Sequence, residues 1–273
     1  WGEPGVSSNE SLSKTGYGTH ALEVWLPPHL KSASFALRAN SANPATRWQI
    51  YSVTTHQLIG EMNQGKPGNS LLTTTPQWIP ATATFAASTG NKIRILVEAS
   101  NFRYPIGGFT NAPQLGLRKD VKEQLFAETF LNALTFGILV IIGWYHLVLF
   151  LQRREDKASL AFALWCGTFA LRNFLTARVP QLLAYAESPT AFEWLAALEF
   201  ISIPLIGIAC AYFLLAVMPS IAARRILWVV AITGVGLVLT TLCTTAFFYA
   251  SNLYIYQLHS LASAFLFFVY LFT

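Results

Sequence analysis

The chain carries five apolar runs, at 130–151, 158–177, 195–218, 226–249 and 253–273, each 20 to 24 residues long. A hydrocarbon core about 30 Å thick is crossed by about 20 apolar residues of helix, so each run has the length of one crossing. A helical bundle in water would need polar faces at 3.6-residue spacing. Stretches such as Gly137–Ile142 and Ile226–Val238 offer none. Residues 127–273 therefore read as a transmembrane helical domain, with a water-facing domain at 1–126.

Composition supports this division. The chain is 53% hydrophobic and only 11% charged, against roughly 25% charged in soluble proteins. Residues 1–126 hold 11 Lys/Arg and 7 Asp/Glu, whereas the rest hold 7 and 6, clustered between apolar runs. The net charge of +5 lies mostly on the first domain and forms no Lys/Arg stripe interleaved with aromatics, which argues against nucleic acid as a partner. Cys166, Cys210 and Cys243 fall in three separate apolar runs, a spacing that gives neither a disulfide framework nor a metal site. No cofactor is expected.

The short linkers set a direction. Arg153, Arg154, Lys157, Arg224 and Arg225 flank one side of the bundle, and only Arg178 lies in the opposite linkers. The excess of cations marks the cytoplasmic side, which places the first domain outside, in the periplasm of a bacterial inner membrane. No leader segment is visible at Trp1, so an exported domain is expected to have lost it by cleavage or trimming.

Ionisable groups in hydrocarbon need partners. Arg172 lies about 22 Å into the second helix and Glu199 about 6 Å into the third from the outer face, counted at 1.5 Å per residue. Their depths agree, and Arg172 and Glu199 are expected to pair. The alternative has Arg172 snorkelling outward and Glu199 in a wet vestibule. His146 and His259 are expected as hydrogen-bonded packing, Pro204 as a kink in the third helix, and Trp144, Trp165, Trp194 and Trp228 to include interfacial anchors.

The first domain alternates with period two. Leu22, Val24 and Leu26 interleave with Ala21, Glu23 and Trp25, and Ile93, Ile95 and Val97 with Arg94, Leu96 and Glu98, the pattern of half-buried strands. Turn signals at Pro27–Pro28, Asn40–Pro44, Gly65–Asn69, Ser88–Asn91 and Pro105–Gly108 separate them. The expected fold is an all-β jelly-roll sandwich. Glu23 and Glu98 could approach across the sheet like a glycosidase pair, although exposed strand carboxylates are the ordinary reading. With no nucleophile elbow, phosphate loop or zinc motif, the chain is read as non-catalytic.

Several segments together resemble a family. They are Gly16-Tyr17-Gly18-Thr19-His20-Ala21-Leu22, Leu26-Pro27-Pro28, Ser100-Asn101-Phe102-Arg103-Tyr104-Pro105-Ile106-Gly107-Gly108-Phe109 and Leu115-Gly116-Leu117, followed by a helix entered through Leu131-Asn132-Ala133-Leu134 and left through Leu149-Phe150-Leu151-Gln152-Arg153-Arg154. The chain resembles bacterial seven-transmembrane receptors with diverse intracellular signalling modules. The resemblance implies a periplasmic jelly-roll sensor, similar to carbohydrate-binding modules. It would relay through seven helices to a cytoplasmic cyclase, kinase or phosphatase, with two helices and that output lying beyond Thr273. Where the family often carries His and Trp, this chain has Arg103, Tyr104 and Phe109, so no ligand is carried over.

The glycines at 107–108 permit a tight turn, and 101–109 reads either as a ligand-facing or as a helix-coupling loop. Trp48, Asn101, Arg103 and Tyr104 are the candidate ligand contacts, for a small molecule or carbohydrate. Trp25 and Trp78 offer further flat faces. Other partners expected are the lipid bilayer and a homodimer or larger membrane complex. The competing reading is a structural subunit of a membrane assembly.

Overall fold

The computed structural model describes residues 15–30, 33–40, 45–86, 92–105, 112–179 and 189–272. Eight strands come first: β1 (Gly16–Trp25), β2 (Ser34–Ala39), β3 (Ala45–Ser52), β4 (Leu58–Lys66), β5 (Thr75–Pro76), β6 (Ala81–Ala86), β7 (Lys92–Asn101) and β8 (Gln114–Leu117). They form a sheet of order β1-β7-β3-β4-β5 and a second of order β6-β2-β8, with antiparallel neighbours throughout. The inward residues of both sheets meet in one core. Phe35, Leu37 and Phe85 come from the smaller sheet and Trp48, Ile50, Ile93, Ile95 and Val97 from the larger. The period-two alternation of β7 is explained by this burial.

Leu22 departs from its expected place. It is 41% exposed, on β1, the edge strand of the five-stranded sheet. Gly65 turns the end of β4 with φ +77°, and a Cβ there would sit 2.0 Å from the Thr75 carbonyl oxygen, so only glycine fits.

Among the described residues six helices follow: α1 (Arg118–Gln152), α2 (Lys157–Thr176), α3 (Pro189–Val217), α4 (Ile221–Cys243), the short α5 (Ala246–Ser251) and α6 (Leu253–Phe272). Five of them are long and apolar enough to cross a membrane. The expected boundary at 126 falls inside α1, which starts directly after β8 because the charged stretch Arg118–Glu123 continues the helix; Lys119 and Glu123 pair at i,i+4. The fourth apolar run is divided in turn. Thr244 and Thr245 are extended, and the run's last residues begin α5.

Two helix starts, those of α2 and α4, are capped by side chains. The Asp156 side chain accepts from the Ser159 backbone N–H at 3.1 Å and from its hydroxyl at 2.6 Å, bonds that hold the Asp156 carboxyl below its ordinary range. Ser220 accepts from the Ala223 N–H at 3.0 Å.

Inside the bundle, His259 Nε2 lies 3.2 Å from the Val230 carbonyl oxygen. Gly207 and Gly234 let α3 and α4 close around it, since a Cβ on either would meet the ring within 3.3 Å. Trp165 is an interior residue, stacked on Phe213 with centroids 5.5 Å apart, whereas Trp144, Trp194 and Trp228 are 60–65% exposed.

Candidate functional site

The site forms where the β domain meets one end of the helices. After β7 the chain turns sharply, and Asn101 closes the turn: its Nδ2 donates to the Tyr104 carbonyl oxygen at 2.7 Å and its Oδ1 accepts from the Tyr104 N–H at 3.2 Å. This loop projects Arg103 and Tyr104 away from the sandwich. Trp78 joins them from the link between β5 and β6. Its neighbour's carbonyl, that of Ile79, accepts from Gln64 Nε2 at 2.7 Å. Gln64 is fully buried, also donates to the Asn40 carbonyl and accepts from Thr46, and so fixes the segment carrying Trp78.

The helices present a complementary stripe. Phe192, Ala196, Phe200 and Ile203 recur at helical spacing on α3 and are buried with Ala246, Tyr249 and Ala250 of α5 and Tyr256 of α6. Trp78, only 3% exposed, packs edge-on against Tyr104 at 5.3 Å and against Phe192 at 4.8 Å. Burial raises the Tyr104 hydroxyl to about 12, because the phenolate would lose its water.

Two acids of α3 tie this aromatic cluster to its surroundings. Glu193 lies 3.6 Å from Arg103 of the β domain through one carboxylate oxygen. The other oxygen accepts from the Ala246 N–H at 3.0 Å, at the start of α5. Arg103 also donates to the Leu71 carbonyl at 3.3 Å. Glu199 forms an ion pair with Arg178, whose guanidinium lies 4.5 Å over the Trp78 ring, a favourable cation–π position. Arg178 has φ +61°, a left-handed conformation that is uncommon outside glycine and costs roughly 1–3 kcal/mol. Glu199 and Trp78 hold that residue in place.

The expected contact between Arg172 and Glu199 takes a different form. Arg172 Nη1 donates to the backbone carbonyl of Glu199 at 3.0 Å and to Ser202 Oγ at 3.1 Å, while the Glu199 carboxylate goes to Arg178. Matching depth brought the two helices to one level but left open which cation would face the carboxylate.

The candidate ligand contacts separate into two groups. Trp48 is not a platform: it is 1% exposed in the sandwich core, and its Nε1 donates to Thr46 Oγ1 at 3.0 Å. Asn101 shapes the loop through the Tyr104 backbone, while Arg103 and Tyr104 meet the helices, Arg103 at Glu193 and Tyr104 in the Trp78 cluster. The paired glycines at 107–108 lie outside the described residues. Trp25 is 73% exposed with Lys92 Nζ 5.1 Å from its ring centre. Glu98 stands opposite Thr19 on β1, four residues from Glu23, or about 13 Å along the strand. That separation exceeds the roughly 5–9.5 Å of glycosidase carboxylates. Glu23 instead binds Lys92 and Arg94, both at 2.6 Å.

Among the described residues no group of three or more His, Cys, Asp or Glu could hold a metal. The arrangement packs a folded β domain against one end of a set of membrane-length helices. The family model described as 7TM diverse intracellular signalling matches residues 128–273, more than half of the chain, and the chain belongs to this family of membrane signalling proteins. Searches of curated proteins and of solved structures returned no match.

Proposed function

We propose that the chain is the sensing and relaying part of a bacterial membrane receptor. Its β-sandwich, of jelly-roll type, stands in the periplasm and takes a small, carbohydrate-like ligand, and the helices carry the change to a cytoplasmic output module. The inner-membrane orientation is supported by the cations gathered in the linkers at 152–157 and 219–225. The helices and the sandwich act as a non-catalytic relay.

One observation carries this reading: the β domain grips α3 and α5 through the Trp78 cluster, in addition to its covalent link to α1. A shift of the loop at 101–104 therefore reaches α3 directly through Glu193 and Phe192. A relay of this kind needs two arrangements of the bundle whose balance the outer domain biases.

The test uses spin labels at Glu155 and Ala222, at the ends of the bundle remote from the β domain, in a Cys243→Ser background. Trp78→Ala should change their separation by about 1–2 Å, the scale of helix shifts in switching proteins. An unchanged distance in a protein that still folds would contradict the relay. A Gly/Ser insertion at Asp120 tests the covalent route separately.

A further inference from the structure

A cleft of about 480 Å³ opens between the sandwich and the first two helices. One face of α1 lines it, through Leu125, Glu128, Thr129, Asn132, Ala133 and Phe136, residues that recur at helical spacing. Opposite stand Asn173 and Phe174 of α2, with Pro80 and Thr82 of the β domain and Arg38 at the top.

The cleft is graded along the membrane normal. About 20 residues back from Gln152 is Asn132, and about 20 forward from Lys157 is Ala177, so both helices place the outer edge of the hydrocarbon at this cleft. Phe136 and Phe174, in contact with centroids 5.7 Å apart, lie below that edge. Arg38, Glu128 and Thr82 lie above it.

The upper end is polar and close to neutral. Arg38, whose side chain is 4% exposed, is matched by Glu128 through two hydrogen bonds of 3.1 and 2.5 Å.

We infer that this cleft binds a single-chain amphiphile with a neutral, hydroxyl-bearing head. The hydroxyls lie below the Arg38–Glu128 pair and exchange hydrogen bonds with the amides of Asn132 and Asn173, while the chain runs down over Phe136 and Phe174. An ionic head is disfavoured, because Glu128 already neutralises Arg38 and a second charge would stand unpaired. The volume is that of an ordinary ligand pocket. Because Arg38 belongs to β2 and Glu128 to α1, the occupant touches both domains.

The experiment uses the full chain in phosphatidylcholine nanodiscs and a monoacylglycerol carrying a photoreactive group in its acyl chain. Crosslinks should concentrate on 125–136 and 173–179, and unlabelled monoacylglycerol should compete. Ala133→Trp, at an exposed position that would fill the cleft, should abolish them. Asn173→Leu should reduce them about tenfold, the effect of one hydrogen bond of ordinary strength. Melting temperature checks that both variants fold. Crosslinks spread evenly over lipid-facing residues such as Trp144 and Trp228, or indifferent to both variants, would overturn the proposal. So would displacement by a charged single-chain fatty acid as effective as by monoacylglycerol, or exclusion of the probe by bilayer phospholipid.

Discussion

The β domain meets the helices at two junctions built on opposite principles. The covalent one, β8 into α1, seats the small side chain of Val121 beside Gly116 and adds the Arg38–Glu128 ion pair above an open cleft. The non-covalent one packs Trp78, Tyr104 and Phe192 into a buried aromatic cluster flanked by Arg103–Glu193 and Arg178–Glu199. Chain connectivity therefore does not decide which helix feels the β domain most strongly. Close packing transmits displacement because its parts cannot move independently, and here it leads to α3 and α5. The junction at α1 leaves room for something else to bind.

The comparison breaks most readily at Trp78. Trp78→Ala removes a fully packed ring and should cost about 3–5 kcal/mol, read as the largest fall in thermal midpoint among these variants, whereas Trp78→Phe should retain most of the stability. Glu199→Gln comes next, at about 1.5–3 kcal/mol, the range for hydrogen bonds to charged groups. Adding Arg178→Met should recover part of that loss, because the stranded charge is Arg178. Adding Arg172→Met should recover none, since Arg172 is held by a backbone carbonyl. Gln64→Leu, which strands the carbonyls that fix the Trp78 segment, should cost about 1–3 kcal/mol.

A smaller effect depends on pH. The hydroxyl of Tyr104 ionises in the folded chain only at about 12, against about 10 when unfolded. Between these values the folded state holds the proton more tightly, so this contribution is complete below pH 10 and is lost as the pH rises to 12. Tyr104→Phe should flatten that decline, measured by thermal unfolding at stepped pH. Glu23→Gln should do least: its partners Lys92 and Arg94 hold an exposed pair on the sheet surface, and such pairs add little. Its melting temperature should match that of the parent.

Much of the fold was legible in the sequence because hydropathy reports local environment. The five runs and the alternation in Ile93–Val97 follow from what surrounds each residue. The Trp78 cluster was not legible, because its members come from positions 78, 104, 178, 192 and 199, and no local pattern records a contact between them. Depth counting placed Arg172 and Glu199 at one level, yet it carries no information on rotation about a helix axis, and Arg178 took the carboxylate. Trp48 was weighed as a binding surface because a sequence shows an aromatic residue at a strand position without showing the opposing sheet. The break at Thr244–Thr245 stayed hidden because two threonines are too short and too mildly polar an interruption to divide a long apolar run.

The most direct measurement compares hydrogen exchange in the parent and in Trp78→Ala, using the full chain in nanodiscs. If the packed junction couples the domains, amides in 196–203 and 246–256 should exchange faster in the variant, while those in 118–129 stay unchanged. Faster exchange confined to 118–129, or no change in either region, would contradict the account.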